Sequence, residues 1–384
     1  MQVLYLAHDL DDAAVWRRAE MLRRGGAGVR LAGFRRRGGT LPGEALVLGR
    51  TRDGRLAARA LSVLAALPGL PGALGPGRAP DVILARNLEM LALGARLGRA
   101  FPGARLVYEL LDVHRLLSGR GPVPAVLRAA EAALMRRAAA VVVSSPGFER
   151  NYLRPFRRPA AEVLLAENKP LSGAAGGLAA PSPRRGGPLA IGWFGILRCA
   201  ASLAALDGLT RAAPGRFRVV LRGRPAREAV PDFDAVVAAN PDIEFRGAYG
   251  PAELPAIYGE VDIAWLIDRY EAGGNSDWLL PNRLYEGCLH GAVPLALAGT
   301  ETAARLSELG IGLVAEAATA GAAGAVLGPL DAQRLAALRA AVARLPRATW
   351  EADDGDCRAF VARLAGLASP GDRPWRGAAA EAAA

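Results

Sequence analysis

Lysine is almost absent from this chain: of 48 basic residues only Lys169 is not an arginine. With abundant alanine and glycine, this marks a compositional bias toward arginine, so the net charge of +11 does not by itself specify a nucleic-acid surface. Aromatic residues are also scarce, at 6%, and no basic segment is interleaved with stacking rings, which argues against a single-strand-binding platform. Cysteine is rare. Cys199, Cys288 and Cys357 are odd in number, scattered and without metal-ligand spacing, so no disulfide framework is expected and a reducing cytoplasm suits them. No apolar stretch of 18 residues survives the arginines and prolines, and no transmembrane helix is expected. The run Met1 to Leu6 lacks a basic leader and a cleavage site, and reads as a first strand rather than a signal peptide. The dinucleotide fingerprint Gly-x-Gly-x-x-Gly, His-x-x-x-His, Gly-x-Ser-x-Gly and the P-loop are all missing, which lowers dehydrogenase, zinc-protease, hydrolase and P-loop readings.

What is present is a repeated alternation of strand and helix. A length of 384 residues suits two domains, and an apolar content of 52% suits two cores. Strands are expected at Val3–Ala7, Val29–Gly33, Val82–Ala85, Arg105–Tyr108 and Ala140–Ser144, with helices between them at Ala13–Arg24, Leu88–Arg99 and Ala125–Arg137. Residues 171–187 are rich in Gly, Pro, Ser and Ala and read as a linker. The pattern then restarts, with strands at Leu189–Phe194, Phe217–Arg222, Ile243–Phe245, Ile263–Ile267 and Val293–Ala296, and helices at Ser202–Thr210, Ala252–Tyr258, Arg283–His290, Asp331–Ala343 and Arg358–Leu367. The expected organisation is an α/β protein of two doubly wound, Rossmann-like domains, 1–170 and 188–345. A C-terminal helix in 346–368 would pack back on domain one, and residues 369–384 would form a disordered tail. Ligands bind outside the carboxyl ends of strands in such sheets, so a cleft between the two domains is the expected site.

The strongest constellation runs from Pro281 to Pro294. Pro281 opens and Gly291 closes a short helix, and Arg283 and Glu286, three residues apart, share one face. A helix N-terminus with an arginine suits a diphosphate, and a carboxylate one turn on can accept both hydroxyls of a ribose. The same spacing also fits an ordinary surface ion pair. A second feature, Ile191 to Arg198, ends a strand in a glycine turn at Gly195, with Arg198 available to neutralise a phosphate. A third, Tyr108 to Arg115, sets Asp112 and His114 at the carboxyl end of an N-domain strand, where they could address an acceptor hydroxyl or a leaving phosphate, or instead cap and pack. Arg86, at another strand end, could join them.

The Pro281–Pro294 stretch resembles the donor-binding segment of family 4 glycosyltransferases, and Gly274 to Glu286 is similar to bacterial exopolysaccharide enzymes of the succinoglycan type. The resemblance covers residues 1 to about 345 and implies the GT-B fold. It also implies that Glu286 binds the donor ribose, while Arg283, Gly195 and Arg198 bind the diphosphate. The Glu-x7-Glu pattern of that family would set its first glutamate at Trp278, where no acid stands, so the sugar contact is expected from Asn275, Ser276 or Asp277. Retention of configuration, a UDP- or GDP-linked sugar as substrate and no required cofactor or metal follow from the same resemblance. Ser144 to Phe148 and Glu167 to Pro170 match further landmarks, though capping and hinge duties explain them as well. Asp232-Phe233-Asp234 imitates the metal-binding Asp-x-Asp of GT-A enzymes, but follows no apolar strand and reads as a solvated loop.

The expected partners are a nucleotide sugar and a saccharide or polyprenyl-linked acceptor, without nucleic acid. Arginines from Arg17 to Arg37, above all Arg35, Arg36 and Arg37, form a candidate face for the acceptor or for an anionic membrane, or else a solvated helix face and loop. The enzyme would then be cytoplasmic and peripheral to the membrane. A nucleotide-sugar epimerase and a non-catalytic nucleotide-sugar binder are the alternatives on this scaffold.

Overall fold

The structure, a computed structural model, describes residues 1–36, 38–51, 72, 78–113, 117, 119, 121–155, 162–173 and 187–367. Arg37, His114, most of the 171–187 linker and the 369–384 tail lie outside the described residues. The chain forms two compact units, one of Met1–Ser144, Tyr152–Ala166 and Asp354–Ala384, the other of Ser145–Asn151 and Glu167–Asp353. Each unit is a Rossmann-like domain built on a parallel sheet.

In the first unit the described residues form seven strands: β1 (Gln2–Ala7), β2 (Gly28–Arg35), β3 (Leu46–Arg50), β4 (Val82–Arg86), β5 (Arg105–Leu110), β6 (Ala138–Val143) and β7 (Glu162–Leu165). Their order is β3-β2-β1-β4-β5-β6-β7. Every residue of β4 and β6 is buried, the unbroken burial of a parallel strand covered on both faces. The winding reverses between β1 and β4, so the carboxyl ends of those two strands flank the switch point. Helix Ala13–Arg24 starts where the Asp12 carboxylate accepts the Ala14 amide hydrogen. The helix Asp354–Ala365 returns to lie on it. A Cβ on Gly25 would sit only 2.4 Å from the Cys357 carbonyl oxygen, and the Arg18 guanidinium stacks 5.1 Å from the Phe360 ring centre. The sequence reading passes over the short edge strands β3 and β7, of which β3 has no fully buried residue and β7 only Leu164.

The second unit has six strands among the described residues: β8 (Leu189–Leu197), β9 (Phe217–Pro225), β10 (Ile243–Phe245), β11 (Ile263–Trp265), β12 (Val293–Leu297) and β13 (Leu313–Ala315). They run in the order β10-β9-β8-β11-β12-β13, with the switch point between β8 and β11. Alternate residues of β8 divide between two cores. Ile191 and Trp193 pack with Leu206 and Phe217, while Ala190 and Phe194 pack with Tyr258 and Leu284 on the other face. One expectation needs correcting. β8 continues to Leu197, so Gly195 lies inside a strand and not in a turn beyond it.

Candidate functional site

The carboxyl ends of β8 and β9 are shaped by two glycines in register, Gly195 and Gly223. Gly195 has φ +109° and Gly223 φ +126°, backbone that side chains rarely allow. A Cβ on Gly223 would stand 1.8 Å from the Gly195 carbonyl oxygen, so no larger residue fits there without moving the strands. Just beyond, the helix Ala200–Ala212 begins. Its cap is Cys199, whose Sγ accepts from the Ser202 amide at 3.3 Å and from the Arg269 amide at 3.1 Å. Arg198 lies beside this helix start, 3.5 Å from Asp268 and stacked 4.8 Å from the Tyr270 ring centre. The helix start favours anions and Arg198 adds a charge.

The helix Asn282–Leu289 opens after Pro281, which is extended, and brings Arg283 onto the same spot. Arg283 Nη1 donates to the Phe194 carbonyl at 3.3 Å and lies 3.8 Å from where a Cβ on Gly195 would be. Its Nε is buried without a hydrogen-bond partner. The ion-pair alternative fails at this point, because Arg283 makes no ion pair with Glu286 among the described residues. Glu286, one turn further on, is buried. Gly287 brings this helix close to β11, since a Cβ there would meet the Ala264 methyl at 2.9 Å. Behind the pair stands Tyr258, edge-on to Phe194 with ring centres 4.9 Å apart. Burial, and then the Glu286 charge, push the Tyr258 hydroxyl well above its usual range, while Arg283 pulls it back. That hydroxyl has no hydrogen-bond partner. The structure therefore gathers Gly195, Arg198, Arg283 and Glu286 at the switch point of one sheet.

Asn275, Ser276 and Asp277 are engaged in folding the segment before Pro281. Asn275 donates to Glu271 at 2.7 Å, and Ser276 donates weakly to Asp268 at 3.4 Å while accepting from the Glu271 amide at 2.9 Å. Asp277 accepts from the Gly273 amide at 2.6 Å. Ser145 donates to the Trp278 carbonyl at 2.6 Å, and Gly147 is closed off by the same backbone. Asp268 and Gly223 escape the sequence reading. Asp268 follows directly on the apolar run Ile263–Ile267, a position that was an available signal, whereas Gly223 lies inside β9 and carries none of its own.

In the first unit, Asp112 is exposed just past β5, and His114 lies outside the described residues. Arg86 is occupied: it donates to Tyr5 at 2.9 Å and pairs with Asp12 at 3.1 Å. Tyr5 in turn donates to Glu109 at 2.7 Å, and Glu109 pairs with Arg18 at 2.8 Å, all of it buried. Arg35 pairs with Asp11 at 2.7 Å and Arg36 with Asp9 at 3.4 Å, so these two brace the segment after β1. Asp232 lies in an exposed turn, as expected, but Phe233 and Asp234 open the helix Phe233–Ala239, where Asp234 pairs with Arg227 at 2.7 Å. Among the described residues no three His, Cys, Asp or Glu side chains gather to hold a metal ion. Within the same residues no helix is long and apolar enough to cross a membrane.

The comparisons with known proteins bear on the family and the fold. Residues 12–169 match the model of the glycosyl transferase 4-like domain. The chain is 47% identical over 378 residues to the succinoglycan biosynthesis protein ExoL of Rhizobium meliloti (strain 1021), covering 96% of this chain and 94% of that protein. Among solved structures it resembles HepE of Anabaena in complex with UDP, with a TM-score of 0.71 at 14% identity, covering 95% of this chain and 99% of that one. Sucrose-phosphate synthase of Thermosynechococcus elongatus gives a TM-score of 0.66 at 15% identity, covering 95% and 94%. At such identities the two structures speak for the fold alone. With a relative this close along nearly its whole length, the chain belongs to the family of ExoL, the glycosyl transferase 4-like enzymes of the GT-B fold.

Proposed function

We propose that the second unit holds the nucleotide diphosphate of a UDP- or GDP-linked sugar at the carboxyl ends of β8 and β9, and that the enzyme transfers this sugar in polysaccharide assembly. The observation that carries the reading is Arg283, set against the Gly195 strand end with no carboxylate partner among the described residues. A guanidinium so placed can meet a leaving diphosphate, and Arg198 with the start of helix Ala200–Ala212 adds to it. Three such positive groups suit departure of the diphosphate without a cation. Glu286 then takes the ribose hydroxyls. The sugar hydroxyls lie toward Asn275, Ser276 and Asp277, whose side chains shape the loop that meets them. Retention of configuration follows if the diphosphate leaves on the face from which the acceptor hydroxyl enters.

The first unit takes the acceptor, a saccharide or a polyprenyl-linked saccharide at the cytoplasmic face of the membrane. Asp112 follows β5 at the carboxyl end of the first sheet and is exposed, and together with His114 it is the pair offered for the acceptor. Calorimetric titration with UDP, GDP, ADP and their sugars tests the donor half directly. One uridine or guanosine diphosphate should bind, and turnover of its sugar should persist in excess EDTA. Loss of turnover in EDTA restored by manganese would contradict the arginine-based mechanism.

A further inference from the structure

The loop offered for the donor sugar does not hold itself in place. Its helix Asn275–Trp278 is a single turn, too short to be stable by itself. Within the loop, Asn275, Ser276 and Asp277 close hydrogen bonds back to Glu271 and Gly273. The far end is fixed by other segments. Residues Ser145–Asn151 follow β6 of the first unit in the chain, yet fold with the second. Ser145 is fully buried and its hydroxyl serves twice. It accepts from the Gly147 amide at 3.2 Å, capping the helix Pro146–Phe148, and donates to the Trp278 carbonyl at 2.6 Å. Gly147 lets the two backbones meet, since a Cβ there would stand 2.3 Å from the same carbonyl oxygen. A helix cap alone requires neither the bond to Trp278 nor a glycine at 147. Arg150 pairs with Glu301 at the start of the helix Glu301–Leu309, and the adjacent Thr302 donates to the Leu279 carbonyl at 3.2 Å. Both grips act on backbone carbonyls just before the chain passes through Pro281 into the helix of Arg283 and Glu286.

We propose that Ser145 and Gly147 are positioning residues for donor-sugar selection: by holding the Trp278 carbonyl they set where Asn275, Ser276 and Asp277 meet the sugar. The inference rests on the donor site proposed above and goes beyond it, because it makes sugar choice depend on a segment placed more than a hundred positions earlier in the chain. A binding constellation must be held to within about 0.5 Å by the groups behind it. Released at Trp278, the loop keeps its internal hydrogen bonds but shifts as one piece. The diphosphate end is spared, because a separate set of contacts holds it. Cys199 Sγ accepts from the Ser202 and Arg269 amides at the start of helix Ala200–Ala212. The Ser202 hydroxyl donates to the Ile267 carbonyl at 2.8 Å and accepts from the Trp265 indole at 3.0 Å. Loss of sugar preference without loss of diphosphate affinity is therefore the signature of this role.

The test is calorimetric titration with UDP, GDP and the epimeric pairs UDP-glucose with UDP-galactose and GDP-mannose with GDP-glucose, circular dichroism reporting the fold of each variant. The wild-type chain should favour one sugar over its epimer. Ser145→Ala should lower that preference by about tenfold, the worth of one sugar hydrogen bond, with affinity for the bare diphosphate within about twofold of wild type. Ser145→Thr keeps both the hydroxyl and the cap, and should restore most of the preference. Gly147→Ala displaces the loop outright and should abolish it, while Arg150→Ala, which leaves Ser145 in place, should lower it by about threefold. An unchanged preference in a folded Ser145→Ala chain would overturn the proposal. So would an equal fall for diphosphate and conjugate, which would mark a general loosening of the unit. A wild-type chain that binds neither diphosphate would instead overturn the donor site itself, so the two failures are distinguishable.

Discussion

The carboxyl ends of the two sheets use the same ingredients in opposite ways. At the switch point of the first sheet, Arg86 is surrounded by its own chain, with Tyr5 at 2.9 Å, Asp12 at 3.1 Å and Glu109 at 3.9 Å. At the switch point of the second, Arg283 has a backbone carbonyl at 3.3 Å and no carboxylate partner among the described residues, beside two glycines that leave the strand ends bare. A buried charge is costly unless paired. The first sheet satisfies its arginine internally and becomes a rigid platform. In the second, the proposed donor diphosphate would complete the surroundings of the arginine. The same fold thus carries a closed network in one unit and the proposed donor site in the other, and the difference lies in a few side chains at the strand ends.

The comparison is tested most severely by removing the anion from the closed network. Glu109→Ala strands Arg18 and loses the acceptor for Tyr5, so unfolding free energy should fall by about 3–5 kcal/mol, read by urea denaturation. Nucleotide affinity of the folded fraction should not change. A stable Glu109→Ala protein with weakened UDP binding would mean that the first-sheet network serves the donor and the contrast is misplaced.

A smaller effect belongs to His290, at the end of the Asn282–Leu289 helix. It is buried, stacked near Tyr258 with ring centres 6.2 Å apart, and neither ring nitrogen has a hydrogen-bond partner. Burial first, and Arg347 second, lower its pKa, with Glu351 opposing. The folded state then binds the proton more weakly than the unfolded chain. The contribution of His290 is intact above about pH 6.5 and is lost as pH falls below it, with a slope of at most about 1.4 kcal/mol per pH unit. Comparing urea midpoints of wild type and His290→Phe between neutral and mildly acidic pH should show a shallower pH dependence in the variant. Parallel curves would show that the imidazole does not report on this unit's packing.

Much of this was legible in the sequence, for reasons that differ by element. Helix Ala13–Arg24 stands where its apolar spacing and Asp12 place it, because capping and periodicity are local signals. The edge strands β3, β7 and β13 were not legible, since their pairing is decided by neighbours distant in the chain. The helix Pro122–Met135 was foreseen roughly, but the burial of its Glu131 was not, because Glu131 is turned inward by Tyr108 and Tyr152. Arg283 and Gly195 were each marked by their own local pattern. Their meeting, across 88 positions of sequence, needed the sheet order to bring β8 beside β11. Gly223 was missed because its necessity comes from the Gly195 carbonyl on the adjacent strand.

The central claim is that the open end of the second sheet is open for a nucleotide diphosphate, and calorimetric titration of UDP and GDP into Glu286→Ala and Arg283→Ala tests it most directly. Hydrogen bonds to a charged acceptor contribute on the order of 1.5–3 kcal/mol. Glu286→Ala should therefore weaken binding of the cognate diphosphate by at least about tenfold, with circular dichroism and melting temperature near wild type. Arg283→Ala should weaken the diphosphate much more than the bare nucleoside. Unchanged diphosphate affinity in both folded variants would contradict the placement of the donor site.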